Sequence, residues 1–593
     1  MCIRDRGQTN RLYTNPQHSF SKEACIFKDE IADLTLSTTI PSIMPNMTKN
    51  LIYLGVFFNK EYIELLRIFL VTAKLYSSLE CIDFLIFTSE NFAPDIQALS
   101  KLVGIPLLMK FFSFNSVHEA SCSRLFIFDY ENAMAYDKVM YLDTDIIVQG
   151  DLMNIFNEPI EDKLYGMKEG TIEHEIHGGW WFDFTTIDKN TVAMNGGILL
   201  FKPTESTRGI FNDINAHVKD IKDTGKPMPQ CADQPFVNYH FIKANKYDNR
   251  MLEKHGLIYC IDPPPPPSEP TPVVLCHFVW PIGNARHKMG RMKPHVTHIL
   301  KHFREISGKR TFFETELVGQ SFRWGDTIGG IRFEPNGKLV STWASGTYKW
   351  LGEFSLLASW SGFDHFLRFN PDFSEYQSVR LGDLEYLKGK KQMKFYDENG
   401  KQVDTIRLET VEQKQAEEYI TEDCTVLELG ARYGTVSCVI NKKLKNPFNQ
   451  VSVEPDSIVW KCLEQNIKRN KCNLHLIKGV ISRVPLTLTQ HPVFTGYGNQ
   501  TIKSEQSSLQ NYTVEQIEEK YRLKFDTLVA DCEGFLGQFF EENPHLYKQL
   551  KLVIFEKDSP DRCDYNVILE NLKTHGFTNL VTGFHEVWKK PDA

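Results

Sequence analysis

The chain has 593 residues, of which 42% are hydrophobic and 24% charged, and 67 Lys and Arg against 75 Asp and Glu give a net charge of −8. That length is enough for roughly three or four ordinary domains, and the mild acidity excludes a broad nucleic-acid surface. The 13 cysteines form no C-x-x-C pair, which excludes a zinc-knuckle or thioredoxin-type motif and reads as buried, reduced thiols. No run approaches the roughly 18 apolar residues that cross a bilayer.

Residues 1–48 are polar without a sustained period and are expected to be disordered. The opening MCIRDR resembles a translated sequencing-read artefact, so translation is expected to start at Met44 or Met47. This stretch has no apolar signal-peptide core, so the chain is expected to be cytoplasmic. On that reading the N-glycan acceptor patterns at Asn46, Asn499 and Asn511 are coincidental.

From Leu51 the pattern changes. LIYLGVFF is a short apolar strand. KEYIELLRIFLVTAKLYSSL has helical spacing, with Ile63, Leu66, Phe69 and Leu70 on one face, and CIDFLIFTS is a second strand. Strand, helix, strand in about forty residues predicts a βαβ unit in a parallel sheet. The alternation runs to about residue 305, and within it IDPPPPPSEP is expected to be an extended, stiff spacer. Residues 306–400 are rich in Phe, Trp, Thr and Ser, with Asn-Gly and Ser-Gly turns that predict antiparallel hairpins. Trp343, Trp350 and Trp360 read as core aromatics of this module, with carbohydrate binding as the alternative. A second βαβ pattern begins near 401: CTVLELGARYGTVSCVI, NQVSVEPDS, FDTLVADCEG and LKLVIFEKD are strands or strand-to-helix turns. The expected architecture is therefore two doubly wound α/β domains, 49–305 and 401–593, joined by a β-rich module over 306–400.

Two positions carry the chemistry of the first domain. In YDKVMYLDTDIIVQG, Asp143 and Asp145 occupy alternate positions at the carboxyl end of an apolar strand, so they project to one side. Two carboxylates in one small volume repel unless a cation lies between them, and Mg²⁺ or Mn²⁺ takes such hard oxygen ligands. That pattern resembles the glycosyltransferase family 8 signature over roughly residues 50–300. SRLFIF, MNGGILLFKP, CADQPFVN and VVLCHFVW follow the family's other segments in order. The resemblance implies a GT-A fold and retaining transfer of a hexose from a nucleotide sugar, a UDP-hexose, to a glycan or glycoconjugate acceptor. It implies metal ligands at Asp143, Asp145 and His277, donor contacts at Arg124 and Asn195, and Asp233 and Gln234 beside the reacting carbon. Both front-side departure and a covalent intermediate fit such a reaction; we take the first, with Asp233 and Gln234 orienting the sugar. The family's diphosphate-binding Lys falls where this chain reads HFVWPIGNARHKM, and Arg286 is assigned that role with Lys288 as its rival.

In the second α/β domain, VLELGARYG puts Glu428, Gly430 and Gly434 at a glycine-rich strand-to-helix turn, suited to close approach of a ligand. Glu454 follows at the end of the next strand, where an acid can grip a ribose diol. LVADCEGFLGQFF places Asp531 and Glu533 at a third strand end. Together with VIFEKD, these segments resemble the FkbM family of S-adenosylmethionine-dependent methyltransferases over about 410–590, with a class I methyltransferase fold. The resemblance implies that Glu454 binds the adenosine ribose, that Glu428, Gly430 and Gly434 border the methionine end, and that Asp531 or Glu533 helps remove the acceptor's proton. The expected protein is thus a bifunctional glycan-modifying enzyme using Mn²⁺ or Mg²⁺ and S-adenosylmethionine. The alternative is a glycan-binding or scaffold protein with one active domain.

Overall fold

β1 (Asn50–Val56) is buried along almost its whole length, as a strand must be when helices cover both faces of its sheet. The computed structural model describes residues 49–259, 273–279, 284–303, 316–352, 354–489, 498–507 and 509–591. The expected disordered segment 1–48 and the proline-rich spacer 261–270 lie outside the described residues. β1 pairs in parallel with β2 (Ile82–Thr88) on one side and β4 (Lys138–Leu142) on the other, and β2 pairs in parallel with β3 (Leu107–Phe111). The helix Glu61–Tyr76 connects β1 to β2 and buries Leu66, Phe69 and Leu70, while Ile63 lies half-buried at the rim of that face. Each such fully buried side chain contributes about 1.5–3 kcal/mol.

Beyond β4 the sheet turns antiparallel. β7 (Val192–Phe201) pairs with β4 and with β6 (Leu164–Thr171), and β8 (Tyr247–Asp248) closes that edge. The order is β3-β2-β1-β4-β7-β6-β8, so the connectivity reverses between β1 and β4, where doubly wound sheets open a crevice at their carboxyl ends. A second, three-stranded sheet, β5 (Ile146–Val148), β10 (Leu275–His277) and β9 (Gly256–Ile258), stands beside that crevice.

Eight strands, β11 (Ser321–Arg323) to β18 (Tyr386–Lys390), then run in simple antiparallel succession. Phe322 also bridges to Lys391, bringing the first strand back to the last. Trp360 is buried, stacked on His365 and edge-on to Trp324, Trp350 is half-buried, and Trp343 is half exposed. Phe366, Val379, Leu384 and Tyr386 of this meander belong to the same hydrophobic core as the first sheet.

The last sheet is β21 (His475–Lys478), β20 (Gln450–Glu454), β19 (Val426–Leu429), β26 (Thr527–Ala530), β27 (Leu552–Glu556), β29 (His585–Lys589) and β28 (Thr578–Val581), in that order. The first five strands are parallel, and β29 inserts antiparallel beside β27. Here the connectivity reverses between β19 and β26. The short strands β22 (Val480–Ile481) and β25 (Asn511–Tyr512) pair with each other, and β23 (Leu486–Thr489) and β24 (Gln500–Lys503) form a hairpin. No helix among the described residues is long and apolar enough to cross a membrane.

Candidate functional site

The first cleft is assembled by strand register. Leu142 pairs with Ile198, and the next residue, Asp143, donates its backbone N–H to the Gly197 carbonyl at 2.9 Å. His277 sits opposite Ile146, and Phe278 donates its N–H to the Asp145 carbonyl at 3.0 Å. The crossing from one sheet to the other therefore brings both carboxylates to the imidazole. His277 Nε2 lies 3.4 Å from Asp143 Oδ2 and 3.2 Å from Asp145 Oδ1. His277 and Asp145 are almost wholly buried, and among the described residues neither His277 ring nitrogen nor Asp145 Oδ1 makes a hydrogen bond. Such groups need a partner. Three hard or borderline donors within 4.8 Å of one another fit a divalent cation. Burial opposes charge on the imidazole, but the two carboxylates outweigh it and raise the His277 pKa to about 9. Burial also works against ionisation of Asp143, yet His277, Arg124 and the Tyr141 hydroxyl, which donates at 2.6 Å, hold its carboxyl well below the usual range. Gly197 leaves the room this cluster occupies, since a β-carbon there would overlap the His277 ring and crowd Asp143.

A second ring of contacts positions the donor side. Arg124 donates two hydrogen bonds to Asp233, at 2.7 and 2.8 Å, and another to the Gly196 carbonyl. Its guanidinium also lies 4.8 Å over the Tyr141 ring. Asp233 is fully buried, with both oxygens taken by Arg124; burial raises its pKa against the pull of that guanidinium. Gln234 accepts from the Gly196 N–H at 2.8 Å and donates to Glu169 Oε2 at 2.9 Å. Asn195 donates to the same oxygen at 3.1 Å. Glu169 thus ties the two amides together, and His177 Nδ1 stands 3.3 Å from Gln234 Nε2. Gln234, Asn195, Arg124 and the metal-ligand candidates line a cleft of about 1490 Å³.

Arg286 is a correction to the sequence reading. Its side chain is 84% exposed and pairs with Glu61 at 2.8 Å, outside the cleft. Lys288, two residues further along the helix Ala285–Lys301, is buried against Asp145 Oδ2 and lines the cleft. Glu169 and His177 escaped the sequence reading entirely, because neither lies in a distinctive motif.

The second cleft, of about 770 Å³, lies at the carboxyl ends of β19, β20 and β26 and is lined by Gly430, Glu454, Asp531 and Glu533 among others. Gly430 has φ +88°, and a β-carbon there would overlap the Asp531 carbonyl. The close approach of two strand ends therefore requires glycine. Glu454 accepts backbone N–H groups from Arg432 and Asp456, both at 2.7 Å. Burial raises its pKa to about 7 despite those donors. Leu488 of β23 and Thr501 of β24 bring the hairpin against the same cleft. Burial, reinforced by Glu556, raises the Asp531 pKa well above the carboxylate range.

Two expected residues of this region lie elsewhere. Glu428 does not line this cleft: it is buried within the sheet, accepting from Ser452 and, at 3.4 Å, from Gln450. It borders instead the smaller adjoining pocket that Gly430 and Asp531 also line. Gly434 caps the helix Thr435–Lys443 at φ +80° and packs near Leu463 rather than lining the cleft. Arg432, in the same turn, clamps Asp456 at 3.0 Å while its N–H holds Glu454.

Residues 35–294 match the family described as Glycosyl transferase family 8. The match supports a family 8 glycosyltransferase domain over these residues. Among solved structures, the chain is similar to the bifunctional glycosyltransferase WbbM in its apo form, at 11% identity, covering 42% of this chain and 50% of that one, with a TM-score of 0.30. It is similar to the glycosyltransferase GlyE of Streptococcus pneumoniae TIGR4 at 18% identity, over 35% of this chain and 46% of that one, TM-score 0.24. For the galactosyltransferase LgtC in complex with donor and acceptor sugar analogues the values are 15% identity, 41% and 95% coverage, and a TM-score of 0.28. The chain spans about half the length of the first two of these proteins. No curated protein matches the chain.

Proposed function

We propose that the family 8 glycosyltransferase domain formed by residues 35–294 transfers a hexose, with retention, from a UDP-hexose to a glycan acceptor, and that the last domain methylates a hydroxyl group. The observation that carries the first part is the meeting of Asp143, Asp145 and His277 beside a buried Lys288. Asp143, Asp145 and His277 would hold a divalent cation, Mn²⁺ or Mg²⁺, which when bound supplies positive charge for the leaving diphosphate. Lys288 adds a second cationic group at the same place. Asn195 and Gln234, cross-braced by Glu169, orient the donor sugar. Arg124 faces the cleft with its charge anchored by Asp233. Because Asp233 spends both oxygens on Arg124, its part is to position that arginine, and this supports front-side departure over attack by a carboxylate nucleophile.

The methylation reading is supported by the parallel sheet that reverses at β19 and β26, by the glycine-forced opening beside Asp531, and by Glu454 at the end of the adjacent strand. S-Adenosylmethionine, when bound, supplies an electrophilic methyl group. Glu454 lines the cleft where a ribose hydroxyl can meet it, and Asp531 lines the same cleft beside the place an acceptor hydroxyl would enter.

Incubation of the full chain with Mn²⁺ and a panel of UDP-hexoses tests the first half. One donor should release UDP, and Asp145→Ala should lower that release at least 100-fold. Equal release from the variant would overturn the proposal. Loss of S-adenosylmethionine binding on Glu454→Ala is the corresponding outcome for the second half.

A further inference from the structure

A smaller pocket adjoins the second cleft, lined in part by Glu412, Gln415, Glu556 and His585. Three elements deliver its polar groups. Glu412 and Gln415 lie three residues apart on the helix Thr410–Tyr419, and so share a face. Glu556 ends β27, and His585 begins β29 directly opposite it in the antiparallel pair. Ligand atoms of Glu412, Glu556 and His585 all lie within 4.8 Å of one another, with His585 Nδ1 3.7 Å from Glu412 Oε1. Two of the pocket's polar atoms go without a hydrogen bond. Among the described residues, His585 Nδ1 makes no hydrogen bond. Gln415 is only 6% exposed, and its Oε1 finds no donor. A buried amide oxygen without a donor costs about 1–3 kcal/mol unless something else meets it.

We propose that Glu412, Glu556, His585 and the amide oxygen of Gln415 form a second divalent-cation site, distinct from the one at Asp143. One imidazole nitrogen, two carboxylates and an amide oxygen suit a cation between manganese and zinc rather than calcium. The adjacent trio Asp531, Glu533 and Asp558 does not offer a comparable site. Asp558 is already met by the backbone N–H groups of Glu533 and Gly534 and by the Tyr565 hydroxyl at 2.6 Å. Gly430 and Asp531 line both the new cavity and the second cleft, so the cation would stand beside an incoming acceptor hydroxyl. That role, unlike the site itself, rests on the methyl-transfer reading.

Mn²⁺ counted by electron paramagnetic resonance on the full chain tests the site. The double variant Asp143→Asn, Asp145→Asn isolates it. That protein should bind one Mn²⁺ whose pulsed spectrum carries coupling to a single imidazole nitrogen. Adding Glu556→Gln should weaken binding at least 100-fold, and adding His585→Ala should remove the nitrogen coupling. The nitrogen signal is read before either site residue is changed, so a variant that fails to fold does not blunt the test. No bound ion in the double variant, an ion without nitrogen coupling, or an ion indifferent to Glu556→Gln would overturn the proposal, the last two leaving a shared proton as the only bridge between the carboxyls. S-Adenosylmethionine binding, measured separately with chelator present, shows whether the methyl-transfer reading fails on its own.

Discussion

Glu454 is an acid whose surroundings favour its neutral form. Its pKa rises from the ordinary glutamate range to about 7, because burial outweighs the two N–H groups it accepts. The folded chain therefore holds this proton more tightly than the unfolded chain does. The associated stability is complete below about pH 4.3 and is lost as pH rises through 7, a difference of about 4 kcal/mol. Ligand-free wild type should accordingly show a thermal midpoint that falls between pH 5 and pH 8, and Glu454→Gln should flatten that slope by a few degrees. The comparison concerns slopes, since glutamine also gives up an accepted hydrogen bond at every pH. An identical slope in the variant would show that the carboxyl is already charged in the ligand-free fold. At this scale, sequence spacing singled out Glu454 and the Asp143–Asp145 pair as candidates, because both follow apolar strands that end in acids. It could not reveal Glu169, whose importance arises only where β6 lies beside β7. The register of those two strands slips between Gly166 and Met167, and no local pattern announces such a bulge.

The helix Ala285–Lys301 decides which basic residue reaches the first cleft. Successive residues turn by about 100°, so Arg286 and Lys288 point to nearly opposite sides. Asn284 caps the helix by accepting the His287 N–H at 2.9 Å, which fixes where that rotation begins. Lys288→Ala should lower kcat/KM for the sugar donor about 100-fold, through loss of a buried cation beside Asp145. Arg286→Ala should change it less than 2-fold, because an exposed pair such as Arg286–Glu61 is worth little. Steady-state donor kinetics on the two variants would check this, and a larger loss from Arg286→Ala would reverse the assignment. The alternation of strands and helices was legible from hydrophobic period alone. The helix start was not, because residues between His277 and Asn284 alter the phase at which the basic side chains emerge. The same limit applies to Glu428: period-two alternation says that it faces away from Leu427, but not which side of the sheet holds the cleft.

Across the whole molecule, the meander is built into its neighbours on both sides. Phe366, Val379, Leu384 and Tyr386 complete the core of the first sheet, and Gly382 donates its N–H to Thr297 at 2.9 Å. Toward the last sheet, Thr342 donates to the Ile406 carbonyl at 2.7 Å, and Arg332 pairs with Asp404 at 3.1 Å. Stripping the four apolar side chains away would forfeit about 6–12 kcal/mol, comparable to the stability of a whole domain. A protein ending at residue 305 should therefore be poorly soluble, or bind a hydrophobic dye strongly, where the full chain does neither; a soluble fragment with the dye response of the full chain would contradict this. Hydrophobic runs in the sequence mark each sheet, yet they do not say that one sheet borrows side chains from the next.

A junction knitted into its neighbours behaves as a bracket rather than a tether. The spacing between the two clefts is then set by the protein, and no slack in the chain shortens it. On the proposed two-activity reading, a polymer long enough to span that interval would stay attached while both ends are worked on, and a short acceptor would have to dissociate after one reaction and find the other opening through solution.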